Sequence, residues 1–176
     1  MNTKNIERYL NSFGKYIVQQ SRTNLTKGKK NVNKSLYNSI KFKVSTDANG
    51  FSVKFYMNSY GTFVDKGVSG NEQKQSYKDY TGKTSSSPYK YKSKQPPSRI
   101  IEKWVKKRGI KGRDEKGRFT PITQKSLAFL IARSIKMKGI KSTSFFQRPM
   151  QLGLKKFAPD LLKAIKEDVM KELNNK

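Results

Sequence analysis

From Ser69 to Gln95 the chain contains no aliphatic residue. A stretch this polar cannot bury a core of its own, so any packed interior must come from the residues on either side of it. The stretch holds four tyrosines, Tyr77, Tyr80, Tyr89 and Tyr91, together with six lysines and a Ser85-Ser86-Ser87 run before Pro88. We expect residues 69–95 to project as a basic Tyr/Lys-rich arm, either a long exposed loop or an extended hairpin.

The flanks carry clear periodicities. Ile6, Leu10, Phe13 and Ile17 recur at spacings of four, three and four, which is one stripe of an amphipathic helix over roughly residues 3–25, with Tyr9 and Tyr16 beside it. The period changes to two from Ser39. Ile40, Phe42 and Val44 alternate with Lys41 and Lys43, and Phe51, Val53, Phe55 and Met57 alternate with Ser52, Lys54 and Tyr56. Asp47-Ala48-Asn49-Gly50 between them carries the Asn-Gly turn signal, so this is an antiparallel hairpin with one buried face. After the arm, Ser98 offers an N-cap to a helix bearing Ile100, Ile101, Trp104 and Val105 and closed by Gly109. Thr123 or Ser126 starts another, lined by Leu127, Leu130, Ile131 and Ile135. A last helix carries Leu161, Leu162, Ile165, Val169 and Leu173, with Pro159 in its first turn or at a kink. The order predicts a single α+β domain over residues 1–176, a small antiparallel sheet packed by helices on one face. We expect its core to join Trp104, Ile100 and Ile101 to Phe51, Val53, Phe55 and Met57.

Composition narrows the chemistry. The 176 residues include no His and no Cys, so thiolate metal sites, disulfides and Ser-His or Cys-His pairs are excluded. Asp114 and Glu115 are adjacent and sit beside Gly117, which reads as a hairpin turn rather than a metal site, and Asp65-Lys66 is equally weak as a catalytic pair. We expect no enzyme activity, no cofactor and no metal. The longest apolar run, Leu127 to Ala132, is too short to cross a bilayer, and the N-terminus lacks a signal-peptide core. A soluble protein or a component of a soluble assembly is expected.

The net charge is +27, from 39 Lys and Arg against 12 Asp and Glu. A folded monomer of this mass exposes roughly 8,800 Å², or about one uncompensated positive charge per 330 Å². The excess is spread along the chain: residues 1–60, 61–118 and 119–176 carry +9, +10 and +8. An AT-rich genome accounts for abundant Lys but not for scarce Glu, so a polyanion or acidic partner subunits are expected nearby. Lys outnumbers Arg 31 to 8, which suits phosphate fields more than base-edge reading. The interleaved run Tyr89, Lys90, Tyr91, Lys92 and Lys94, with Tyr77 and Tyr80, is the candidate surface for a polyanion or a partner. Its alternative is an edge strand protected by charge.

Three stretches, in order, resemble the phage tail-completion and head–tail joining family, the tail-terminator-like proteins and minor tail components of tailed phages. The first is the opening helix with SLYNSIKFKV and FSVKFYMN. The second is YGTFVDKG, similar to that family's Tyr-x-x-Phe/Tyr-Val-Asp/Glu-x-Gly turn. The third is FLIARSIKMKGIKSTSFFQRPM, similar to its late helix, Gly-Ile break and Phe-Phe-x-x-Pro approach to the C-terminal helix. The resemblance covers most of the chain outside residues 69–95. It implies an α+β fold without catalysis, a homo-oligomeric ring of six or twelve copies, and a sheet that extends across subunits. It implies as partners other head, neck or tail proteins and DNA in the channel, with no membrane. The implied location is the virion, and the host cytoplasm during assembly. A sequence-independent nucleic-acid-binding accessory or cargo protein is the other reading of the same charge.

Overall fold

The stripe Ile6, Leu10, Phe13 and Ile17 lies fully on the inner side of helix α1, Lys4–Lys27, joined there by Val18, Ser21 and Leu25. The structure is a computed structural model and describes residues 4–30, 32–47 and 50–174. A short helix α2, Ser35–Ser39, leads into strands β1, Lys41–Asp47, and β2, Gly50–Tyr56. Then come α3, Gly61–Lys66, β3, Val68–Ser69, β4, Ser76–Lys78, and β5, Thr84–Ser86. Helices α4, Ser98–Arg108, and α5, Gln124–Lys138, precede β6, Gly139–Ile140, and the long helix α6, Gln147–Asn174. The fold is α+β, with antiparallel two-stranded sheets and predominant helix. The chain groups into two compact units, Met1–Gly61 with Lys78–Lys83 and Ser144–Lys176, and Thr62–Tyr77 with Thr84–Thr143.

In the first unit the hairpin forms in the register that the alternation demands. Phe42 faces Phe55 and Val44 faces Val53, so all four share one side of the ribbon. Ala48 and Asn49 of the expected turn lie outside the described residues; the ladder closes on either side of them, Asp47 against Gly50. The apolar side rests on α1. Phe55 meets Phe13, Phe42 and Phe146 with ring centroids 6.2, 6.3 and 5.5 Å apart. Gly14 is buried because the Phe42 ring occupies the space a Cβ would need. Helix α6 covers α1 by the same device: a Cβ at Gly153 would strike Ile17 and Phe13. Phe157 fills the seam, 5.6 Å from both Tyr9 and Phe13. The Tyr9 hydroxyl donates to the Phe157 carbonyl at 2.7 Å.

Asp168 closes this seam at its far end. Its carboxylate is 1% exposed and accepts from the Asn5 Nδ2 at 2.6 Å and the Ile6 backbone N–H at 3.1 Å. The first N–H groups of a helix have no partner within it, and here a carboxylate 162 residues away serves one of them. Its charge also suits the positive end of the helix dipole. Pro159 stands inside a helix that runs through it, rather than in its first turn. The helix begins earlier than the apolar pattern indicated, directly after Phe145 and Phe146, with Pro149 buried in the opening turn.

The residues expected in the core divide. Phe55 and Val53 are half-buried, while Phe51 is exposed. The aromatic neighbours gather around Phe55, and Phe51, four residue pairs nearer the turn, lies opposite Thr46. Trp104 is a correction: it is 39% exposed, and Ile100 63%. Two i,i+4 stripes lie side by side on α4, Ile100–Trp104 and Ile101–Val105. The second faces inward, with Val105 fully buried, so the first is turned outward by about one residue of helical rotation.

The second unit is built around α4 and α5. Gly109 closes α4 in the left-handed conformation, its N–H bonded to the Lys106 carbonyl, as a helix-ending glycine does. Ser98 is the first helical residue and Pro97 holds the cap position, with no side-chain cap bond. Thr123 does cap α5, accepting from the Ser126 N–H. Asp114 and Glu115 lie in the expected turn, bridged by Arg113 and Phe119, and Asp114 Oδ1 accepts from the Arg118 N–H at 2.8 Å.

Candidate interaction site

The arm is ordered by backbone and small polar groups, without aliphatic anchors. Strands β4 and β5 pair as a hairpin, the second of the two forms expected. Ser69, 6% exposed, is its fixed point. The Ser69 N–H donates to the Tyr89 carbonyl at 2.8 Å and its carbonyl accepts from the Tyr91 N–H at 2.9 Å. Its hydroxyl accepts from the Gln75 N–H at 3.0 Å. The Asn71 Nδ2 donates to the Lys92 carbonyl at 3.1 Å. A segment that cannot form a hydrophobic core is thus held by satisfied backbone groups.

This pairing sorts the predicted contact residues by parity. Tyr89 and Tyr91 turn inward and are half-buried; Lys90, Lys92 and Lys94 are exposed. Tyr89 stands edge-on to Phe63 at 4.5 Å, and burial raises the Tyr91 hydroxyl pKa above its ordinary value. Tyr77 is half-buried, with the Lys66 Nζ 5.5 Å from its ring centroid. These rings are occupied within the fold, so Tyr77, Tyr89 and Tyr91 do not present a row of open faces to stacked bases. The lysine row remains. Tyr80 belongs with Lys78–Lys83 in the first unit, 52% exposed, its N–H donating to the Gln147 Oε1 at 3.0 Å.

A second basic surface lies in the first unit. One flank of α1, from buried Val18 out to exposed Lys15 and Lys27, encloses with α2 and the start of β1 a groove of about 890 Å³. Val18, Tyr37, Ile40 and Phe42 supply its apolar walls, and Lys15, Arg22, Lys27 and Lys41 its cations. Arg22 is held in place: its Nε donates to the Tyr37 carbonyl at 3.1 Å, its Nη2 to the Ile40 carbonyl at 3.0 Å. The guanidinium also lies 5.1 Å from the Tyr37 ring centroid. No carboxylate lines the groove among the described residues. The sequence does hold a signal for it, a complete absence of Asp and Glu from Arg8 to Thr46 across nine Lys and Arg. Read as a helix face alone, Lys15, Gln19, Arg22 and Thr26 look like ordinary solvated polar positions.

Among the described residues no group of three His, Cys, Asp or Glu could hold a metal ion, and no helix is long and apolar enough to cross a membrane. Compared with models of protein families, with curated proteins and with solved structures, the chain matches none.

Proposed function

We propose that this chain is a structural protein of a tailed-phage virion, one subunit of a ring at the head–tail junction or tail end that joins or completes the tail. The observation that carries the reading is where two of the family-like stretches go. Residues 62–67 of YGTFVDKG and 137–143 of the late stretch lie far apart in sequence, yet they meet in the second unit. β3 pairs with β6, Val68 opposite Ile140 and Ser69 opposite Gly139. The Thr143 hydroxyl donates to the Val64 carbonyl at 2.8 Å. Gly67 has φ +74, and a side chain there would collide with the backbone of Ile140 and Ser142. The glycine of the first stretch and the Gly-Ile break of the second are therefore parts of one structural device.

The surface chemistry supports assembly rather than catalysis. Ile100, Trp104, Phe129 and Leu130 are exposed on α4 and α5. A helix that is apolar on every side normally ends up enclosed. In a ring these side chains would be covered by neighbouring subunits, and the lysines would face DNA in the channel or acidic rings above and below. The test is stoichiometry: quantitative mass spectrometry and cryo-electron microscopy of purified particles. A ring protein is present in a fixed low copy number at one axial position. Variable copy number with no ordered density would instead identify a cargo or nucleic-acid-binding accessory protein, the runner-up reading.

A further inference from the structure

The proposed ring gives a use to the lysine row on the arm and to the apolar surface of α5, and it assigns none to the groove on α1. We propose that this groove seats an acidic polypeptide segment that carries an apolar side chain. Charge sets the sign of the occupant. Lys15, Arg22, Lys27 and Lys41 converge on the groove with no carboxylate among its lining residues, and Lys15, Lys27 and Lys41 are exposed. Complementary charge of this kind selects the partner and speeds its docking.

The walls decide between kinds of polyanion. Val18 and Ile40 are buried at the base, and Tyr37 and Phe42 are half-buried beside them. A nucleic-acid backbone offers phosphates to the cations but has no aliphatic group for such walls, and the tyrosine here is covered on one side by Arg22. A Leu or Phe flanked by Glu or Asp matches both parts at once. Arg22 is pre-organised for the acidic part. Two carbonyls fix its Nε and Nη2, which leaves the Nη1 amino group for a carboxylate at little further cost in side-chain entropy. The groove volume, about 890 Å³, is of the size that encloses a ligand rather than a single ion. Such a segment would bind here whether or not the chain assembles into rings.

Fluorescence anisotropy tests this with a short fluorescein-labelled peptide of glutamates interrupted by leucines. Comparators are the same peptide with its leucines replaced by serine and a labelled oligo-dT. The double variant Lys15→Glu/Lys41→Glu changes two exposed side chains. It should weaken the leucine peptide about tenfold or more, while Lys90→Gln/Lys92→Gln/Lys94→Gln leaves it unchanged. The serine peptide should bind several-fold less tightly than the leucine peptide. Arg22→Lys, which keeps the charge and loses the fork, should also weaken binding. Should the double variant fail the circular-dichroism check for folding, Lys15→Gln alone gives the same readout at smaller amplitude. Equal losses in the groove and arm variants would mean a non-specific field and overturn the proposal. So would a serine peptide that binds as well as the leucine peptide, or an oligo-dT that binds more tightly than the peptide and loses affinity in the groove variant.

Discussion

Helix α1 buries Ile6, Leu10, Phe13, Ile17, Val18 and Leu25 and gives its other faces to polar residues, whereas α5 buries only its two alanines, Ala128 and Ala132. Its larger apolar residues ring the helix: Leu127, Ile131, Ile135 and Met137 are half-buried, and Phe129 and Leu130 are exposed. The first helix uses its hydrophobic residues inside its own unit. The second carries more than its unit covers. Because burial of apolar area is a main driving force for both folding and association, the uncovered part of α5 is where association has most to gain.

The largest effect that separates the two helices comes from Ile17. Ile17→Ala removes a fully buried side chain and should cost about 2–5 kcal/mol in urea unfolding; a cost below that of a surface change would show that α1 is not the centre of its unit. Next is the cap of α1. Asp168→Ala leaves the Ile6 N–H and Asn5 amide without their buried acceptor and should cost about 1–3 kcal/mol. Hydrogen exchange should rise first at the α1 N-terminus. On α5 the expectation is reversed: Leu130→Gln should change stability by no more than about 0.5 kcal/mol, while lowering self-association in analytical ultracentrifugation. A loss of stability comparable to that of Ile17→Ala would mean that α5 is finished within its own unit.

The smallest effect concerns the arm. Asp79 accepts from the Thr81 hydroxyl at 2.6 Å and from the N–H groups of Thr81 and Lys83 at 2.9 and 3.0 Å. The Thr81 side-chain bond, followed by the backbone bonds, holds its pKa below the ordinary carboxylate value. A depressed pKa means stability that is present above the unfolded-state value and lost as pH falls through the folded-state value. Amide exchange at Thr81 and Lys83, corrected for intrinsic rates, should therefore accelerate only in acid below the usual Asp range, and Asp79→Asn should abolish that transition.

The hairpin and α1 were legible because one period dominates each and one face is buried. The cap of α5 was legible only as a choice between Thr123 and Ser126, of which Thr123 holds the position, and Ser98, read as a cap by the same local rule, is the first residue inside its helix. The choice between Ile100–Trp104 and Ile101–Val105 was not legible, since two adjacent apolar stripes give the same periodicity and only the position of α5 selects one. The order of residues 69–95 was hidden for a different reason. It comes from backbone pairing around Ser69, and pairing partners twenty residues away leave no hydrophobic pattern. The groove is assembled from α1, α2 and β1, so its charges are unremarkable until the helix and strand lie side by side. The cap on α1 is the extreme case, since nothing near Ile6 points to Asp168.

That distant cap also sets a schedule. Ribosomes add about 5–20 residues per second, so the 162 residues between Ile6 and Asp168 correspond to roughly 8–30 seconds of synthesis at that rate. The hairpin emerges early and can shelter one side of α1, through Phe42 and Phe55. The side that receives Gly153, Phe157 and Asp168 stays open until α6 has been made. For that interval the nascent protein shows a strip of Ile, Leu and Phe to solvent, which makes α1 the natural place for a chaperone to hold it.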